Sequence, residues 1–253
     1  MTGSLAHERR TRFTGAALVR LLAAMDDVDT PASQAPFAER LSQWFGWTEA
    51  ISLSSALTTG PAADVRPLGT AVPSAIEREA VRTRAALVKL LTEDRSPARR
   101  GASLRRQPAS LTPEPPPAEI DFQVFRERYQ DRQAAMDQAI GPLRRRIRSE
   151  LTGASPALAR LAALDTVMEQ VVGGRERVLL ANVPLWLEQH FERLRRDARE
   201  TAADASLPPP TDAAWLDTFR HDFRDVLLAE LDLRMQPVDG LLDALRRATP
   251  DLP

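Results

Sequence analysis

The amino-acid sequence predicts an all-α protein. Large apolar residues recur at spacings of three and four along most of the chain, which is the period of amphipathic helices. Aromatic residues account for only 5% of the chain, and no Asn-Gly or Asp-Gly turn separates two alternating segments, so strands are not indicated. Clusters of proline separate the periodic segments. The predicted architecture is a small N-terminal helical module, a proline-rich flexible linker, and an elongated C-terminal antiparallel helical hairpin or three-helix bundle with coiled-coil-like packing.

The composition excludes several classes of function. The chain has 253 residues, of which 43% are hydrophobic, and this is enough to build a core. Its 34 basic and 35 acidic residues nearly cancel, so the chain has no overall attraction to nucleic acid or to an anionic membrane. Because cysteine is absent, disulfides, thiol nucleophiles and thiolate zinc sites are excluded.

The N-terminal module is predicted over residues 12–95. Its four helical segments follow from apolar stripes, capping residues and the position of one glycine. We expect Trp44, Phe45 and Trp47 to form the core of this module. A helix-turn-helix DNA reader is a weaker interpretation, because the third segment has no lysine or arginine to offset phosphate charge. The four segments are Thr14 to about Val28, 37 to 45, from Thr48 onward, and from Ser74 onward.

Two segments are predicted to be linkers. Residues 96–118 are rich in proline and hold only two large apolar residues, so ordering them would bury too little surface to offset the lost entropy. Residues 200–211 form a shorter linker with three consecutive prolines. The first 25 residues predict an amphipathic helix, because Arg20 interrupts the apolar stretch that a signal sequence needs. No apolar run is long enough to cross a bilayer, so direct membrane insertion is not expected.

The C-terminal half is predicted to form a long antiparallel hairpin over 119–199 and a final helix over 212–248 that packs on it. A helix over 119–151 would be roughly 50 Å long and needs a partner along its length. Ser155 followed by proline has the order that opens the returning helix. The sequence leaves open whether the bundle forms within one chain or is swapped between chains. The heptad-like seam of the first helix consists of Phe122, Phe125, Tyr129, Met136, Ile140, Leu143, Ile147 and Leu151.

An arginine-rich turn of this long helix is the candidate partner-binding site. Arg144, Arg145 and Arg148 could neutralise successive phosphates or bind an acidic partner. Around a helix these side chains point in different directions, and Ile147 among them belongs to the seam. A solvated, ion-paired helix face is therefore the alternative interpretation.

No catalytic, cofactor or metal site is predicted, and the protein is expected not to be an enzyme. Asp217, His221 and Asp225 are four residues apart and could chelate a metal, but they lie opposite an apolar stripe, where solvated residues belong. His190 lies at the margin of an apolar face, and a general base there is the alternative to a packed imidazole. The glycine pair 173–174 indicates a flexible joint or a close helix contact.

Three stretches together resemble a known family. They are PFAERLSQWFGWTEAISLSSAL, then SPALARLAALDTVMEQ with ERVLLANVPLWLEQHFERLR, and finally RDVLLAELDLRMQPVDGLLDALR. The family is a proteobacterial one known only as a domain of unknown function, and Leu227 to Leu242 is the most specific part of the resemblance. Its members are encoded near motor-like or channel-like membrane proteins and peptidoglycan-binding envelope proteins. The resemblance implies a cytosolic accessory of an envelope machine, and it implies no activity, cofactor or catalytic residue.

These observations lead to one functional expectation and one alternative. We expect a non-enzymatic helical adaptor or scaffold that oligomerises or binds protein partners through the long helices. Its expected location is the cytoplasm, with recruitment to the inner membrane by a partner. The alternative is an accessory protein that binds nucleic acid through its arginines.

Overall fold

The computed structural model describes residues 15–26, 46–58, 71–93, 120–204 and 213–248. Within these ranges every regular element is a helix and no strand occurs, which confirms the all-α prediction. None of the described helices is both long and apolar enough to pass through a bilayer. The helices are α1 (Gly15–Asp26), α2 (Trp47–Thr58), α3 (Ala71–Thr92), α4 (Gln123–Ala154), α5 (Pro156–Leu180), α6 (Val183–Asp204) and α7 (Ala213–Ala248).

Helix α7 lies at the centre of the packing and contacts α1, α3, α4, α5 and α6. Phe219 and Arg234 of α7 contact Phe125 and Asp137 of α4 in the same order, so α4 and α7 run parallel. Helix α3 runs antiparallel to α4, with Glu79 near Arg146 and the other end near Arg128. Helix α5 is also antiparallel to α4. Helices α3, α5 and α6 therefore pack around the α4–α7 pair.

The turn between α4 and α5 has the cap expected from the sequence. The Ser155 hydroxyl accepts a hydrogen bond from the backbone N–H of Leu158 at 3.2 Å, and Pro156 occupies the first helical position. The chain reverses within one residue at this point, so α4 and α5 lie side by side. Residues at equal distances from Ser155 along the two helices therefore face each other.

The predicted seam of α4 is a core feature within the chain. All eight of its residues are buried, and they belong to one apolar cluster with side chains of α3, α5, α6 and α7. A seam that is covered by helices of the same chain is not available as a surface for oligomerisation. The sequence left open whether the bundle forms within one chain or is swapped between chains, and here helices of the same chain cover the seam.

The described N-terminal helices share this core. Leu22 of α1 and Ile76 of α3 lie in the same cluster as the C-terminal helices, and α2 packs against α5. Helix α1 packs against α6 and α7, and α3 packs against α4 and α7, so these helices complete the core of the C-terminal helices. The predicted helix 37–45 and the predicted linker 96–118 lie outside the described residues, so the domain boundaries stay predictions.

Two details of the sequence interpretation are wrong. The predicted linker 200–211 begins too early, because α6 continues to Asp204 with the Thr201 hydroxyl bonded to the carbonyl of Asp197 at 2.8 Å. Trp47 is 88% exposed rather than part of a core. Helix α2 buries only Ala56, which lies on the opposite side of the helix from Trp47, so packing on α5 leaves the indole in solvent.

Candidate functional site

A network of polar side chains lies inside the bundle between α4 and α7. Glu230 is completely buried, and its carboxylate accepts hydrogen bonds from the Tyr129 hydroxyl, from Gln133 Nε2 at 3.0 Å and from Arg234 Nε at 2.8 Å. Arg234 also forms an ion pair with Asp137. A buried carboxylate is tolerated only when it is paired and hydrogen-bonded, and this network supplies both requirements. The network links the part of α4 around Gln133 to the part of α7 around Glu230.

The buried hydroxyl of Tyr129 should titrate only when the protein unfolds. Burial, and then the charge of Glu230, raise the pKa of Tyr129 well above its ordinary value. Because the folded pKa exceeds the unfolded value of about 10, this group's stabilisation is complete below that pH and is lost as the pH rises further. Tyr129 is the only tyrosine in the chain, so absorbance near 295 nm reports it alone. We expect one cooperative absorbance step that coincides with loss of helical circular dichroism, and a step at about pH 10 in still-helical protein would contradict the burial.

A cleft of about 230 Å³ opens beside this network between α4, α5 and α7. Its walls carry acidic and basic side chains together with small and apolar residues. Glu176 of α5 is half-buried in this wall, and burial raises its pKa despite the nearby charges of Arg234 and Arg144. The lining residues are Asp137, Ile140, Gly141, Arg144, Glu169, Gly173, Glu176, Arg177, Leu233, Arg234 and Pro237.

Removing the charge of Glu176 should stabilise the protein at neutral pH. Since its folded pKa is raised above the unfolded value of about 4.3, the wild type loses stability as the pH rises through the folded pKa. Glu176→Gln stays neutral and should avoid that loss. We expect a melting temperature about 2 °C higher than wild type at pH 7, with the difference vanishing below pH 4. If Glu176→Gln had a lower melting temperature than the wild type at pH 7, ionisation of Glu176 would not destabilise the folded protein.

The candidate arginines do not form one exposed surface. Arg144 donates two hydrogen bonds to Asp165 of α5, at 2.7 and 2.8 Å, and Arg148 pairs with Glu169 at 2.7 Å. Both arginine side chains are largely buried beneath α5, whereas Arg145 is exposed. The alternative interpretation, an ion-paired face, therefore describes Arg144 and Arg148. The acids were not singled out from the sequence, although Asp165 and Arg144 lie at nearly equal distances from the turn at Ser155.

His190 and His221, the histidines considered for catalysis, each lie beside a carboxylate of α7. His190 is buried, and its Nε2 lies 2.8 Å from Asp222 while Nδ1 lies 3.0 Å from an arginine nitrogen. Through its contact with Asp222 the His190 ring ties α6 to α7. His221 is exposed and 3.5 Å from Asp225. Asp217 pairs instead with an arginine one turn away, and no group of three or more metal-ligating side chains occurs among the described residues.

The corner between α5 and α6 exposes a group of large apolar side chains. Only residues 181 and 182 separate the two helices: the N–H of Ala181 bonds to the carbonyl of Arg177, and the N–H groups of Leu185 and Trp186 bond to the carbonyl of Asn182. Leu179 follows Val178 on α5 and Trp186 follows Leu185 on α6, so each helix presents two adjacent apolar side chains here. The exposed fractions of this apolar corner are 67% for Val178, 64% for Leu179, 51% for Leu185 and 40% for Trp186.

Charged residues around the apolar corner are mainly basic. Within residues 174–190 the exposed charged residues are Arg175 and Arg177. Arg175 precedes Val178 by three residues and therefore lies on the same side of α5. Glu176 and Glu188 are half-buried, and Glu188 forms an ion pair with Arg126 of α4. The corner thus combines apolar surface with exposed positive charge.

Comparison with known proteins identifies a family. The family model described as "Protein of unknown function (DUF3348)" matches residues 5–247. No curated protein and no solved structure matches the chain. The matched residues include the buried network, the cleft and the apolar corner, and they agree with the resemblance found in the sequence to a family known only as a domain of unknown function. The chain therefore belongs to the DUF3348 family of proteins of unknown function.

Proposed function

We propose that the protein is a non-enzymatic helical adaptor that binds a protein partner through the apolar corner of Val178, Leu179, Leu185 and Trp186. The single observation that carries the proposal is the exposure of these four side chains on otherwise well-packed helices. Contiguous exposed apolar surface on a folded chain is typical of an interaction site. The cytoplasmic setting as an accessory of a bacterial envelope complex comes from the sequence resemblance and forms part of the proposal.

The chemistry of the corner favours an amphipathic helix with acidic flanking residues as the bound segment. Large apolar anchors suit a helix that presents side chains at three-and-four spacing. The exposed guanidinium group of Arg177 favours carboxylates on the rim of such a contact. Pairing two copies of the chain corner to corner would bring the two Arg177 side chains close to each other, which disfavours a symmetric dimer at this surface.

A matched pair of exposed valines allows a sharp test. Val178 at the corner and Val81 on α3 have nearly the same exposed fraction, 67% and 66%. Proteins captured from the native host by the wild type are identified by mass spectrometry, and the partner is purified for titration calorimetry. We expect Val178→Ser combined with Leu179→Ser to weaken the Kd at least tenfold, and Val81→Ser to leave it unchanged. The partner's contacting segment should be acidic and helical.

Several outcomes would overturn this proposal. A partner that binds the corner variant and the wild type equally well does not use the corner. A basic or non-helical contacting segment contradicts the proposed partner chemistry. Light scattering that shows a dimer lost in the corner variant would make a second copy the occupant. Failure of the wild type to bind any protein would remove the adaptor function itself.

Nucleic-acid binding through Arg144, Arg145 and Arg148 has less support than partner binding. Two of these side chains are held by acidic residues of α5, so breaking those ion pairs would be part of the cost of binding phosphate. A chain that is not retained on DNA or RNA at low salt lacks this activity. Salt-dependent retention that weakens when the three arginines are replaced by alanine would support nucleic-acid binding through them.

A further inference from the structure

Helices α4, α5 and α7 each contain glycine or proline at the same height along the bundle, which is called here the level of the cleft. Helix α4 has Gly141 followed by Pro142, α5 has the pair 173–174, and α7 has Pro237 in its interior. Gly141, Gly173 and Pro237 line the same 230 Å³ cleft, so the three positions lie side by side in space. Proline removes one helical hydrogen bond, and glycine weakens a helix interior. The weak points of α4, α5 and α7 therefore coincide.

Packing does not explain the glycine pair in α5. A Cβ atom placed on Gly173 or on Gly174 would meet nothing within 4 Å beyond its own helix. Both residues lie inside a continuous helix, where alanine has the higher propensity. Alanine would fit at both positions and would strengthen the helix. Close helix contact, one of the two interpretations of this pair from the sequence, is therefore contradicted, and a flexible joint is favoured.

Helix α3 passes the same level without interruption. Between residues 74 and 92 it contains neither glycine nor proline. One of its side chains, Arg84, bridges the proline of α7: Nη1 lies 2.8 Å from Asp232 and Nη2 lies 2.6 Å from Asp239. These two acids are on opposite sides of Pro237 along the helix. A single guanidinium thus connects the two segments of α7 that the proline divides.

We propose that this level is a hinge at which α4, α5 and α7 bend together, and that Arg84 on α3 is the clamp that holds α7 straight across Pro237. The cleft beside Gly173 supplies the space that bending requires. The apolar corner and the α4–α5 turn at Ser155 lie on opposite sides of this level, so bending changes the orientation of one relative to the other. The proposal does not depend on the adaptor function, because it rests on helices within the chain.

Hydrogen exchange on the full chain tests the hinge directly. Amides in 138–146, 170–178 and 233–241 should exchange faster than helical amides on either side, since local opening governs exchange there. Replacing both glycines 173 and 174 by alanine should slow exchange in 170–178 at least fivefold. Arg84→Ala should speed exchange in 233–241 at least threefold. Arg220→Ala, which removes an exposed ion pair within α7, is the matched control and should leave 233–241 unchanged.

Distance measurements provide a second readout that does not depend on exchange. The chain has no cysteine, so spin labels can be placed by Thr218→Cys and Asp243→Cys, two exposed positions of α7 on either side of Pro237. Straight helix geometry gives about 38 Å between them. We expect a broad distance distribution that narrows with Pro237→Ala and broadens with Arg84→Ala. A narrow distribution that neither variant changes, or uniform exchange protection across the three segments, would overturn the hinge.

Discussion

Replacing Arg234 by methionine is expected to lower the free energy of unfolding by about 3 to 5 kcal/mol. The substitution keeps most of the apolar stem but removes the cation that faces Glu230 and Asp137. Glu230 is completely buried, so its carboxylate would remain without a compensating charge. Removing one partner of a buried pair is far more costly than removing the whole pair. Urea denaturation followed by helical circular dichroism measures the loss.

Two controls separate the buried charge from a general effect of losing an arginine. Arg220→Met removes an exposed pair with Asp217 on the same helix and should change the stability by about 0.5 kcal/mol at most. Combining Arg234→Met with Glu230→Gln removes the unpaired charge and should recover part of the loss. A cost below about 1 kcal/mol for Arg234→Met would show that the Arg234–Glu230 pair does not stabilise the fold as a buried pair.

Truncating Phe219 to alanine is expected to cost about 3 to 5 kcal/mol. Its ring is completely buried at the junction of α4, α6 and α7. The ring centroid lies 4.9 Å from that of Phe125 and 5.0 Å from that of Phe191, in edge-to-face geometry. Loss of this ring leaves a cavity and also removes part of the aromatic contact between α6 and α7. We therefore expect both lower stability and faster hydrogen exchange in α6.

Denaturation of Phe219→Ala should be compared with two other variants. Phe219→Leu retains much of the volume and should cost less than half as much. Leu185→Ala removes an exposed apolar side chain at the corner and should cost about 0.5 kcal/mol or less. If Phe219→Ala were no more harmful than Leu185→Ala, the aromatic junction would not be the attachment of α6.

The periodicity of α4 shows how much of the core could be predicted. Residues such as Phe125, Ile140 and Leu151 recur every three or four positions, and that spacing alone places them on one face of a helix. The face is buried, as expected. Periodicity describes which side of a helix is apolar, but not which helix covers it. For this reason the spacing could not show that the covering helices belong to the same chain.

The arginines of α4 show a similar limit for the candidate site. The residues Arg144, Arg145 and Arg148 were found from local charge density, which is visible in any short window of sequence. Their availability depends on Asp165 and Glu169, which reach them only because α5 folds back at Ser155. The apolar corner could not be predicted for a different reason. The apolar character of Val178 to Leu187 is visible in the sequence, but residue identity does not show that Val178, Leu179, Leu185 and Trp186 stay exposed.

The sequence by itself determined the helical class, the cap at Ser155 and the buried face of α4, because each of these depends on residues within a few turns of one another. Only the tertiary structure decided that Glu230 is buried against Tyr129, that Arg84 bridges Pro237 and that the α5–α6 corner stays exposed. Those features join residues far apart in the chain. The stability of such contacts depends on which helices pack together. Helical periodicity does not specify these pairs, because they are set by the packing of all the helices at once.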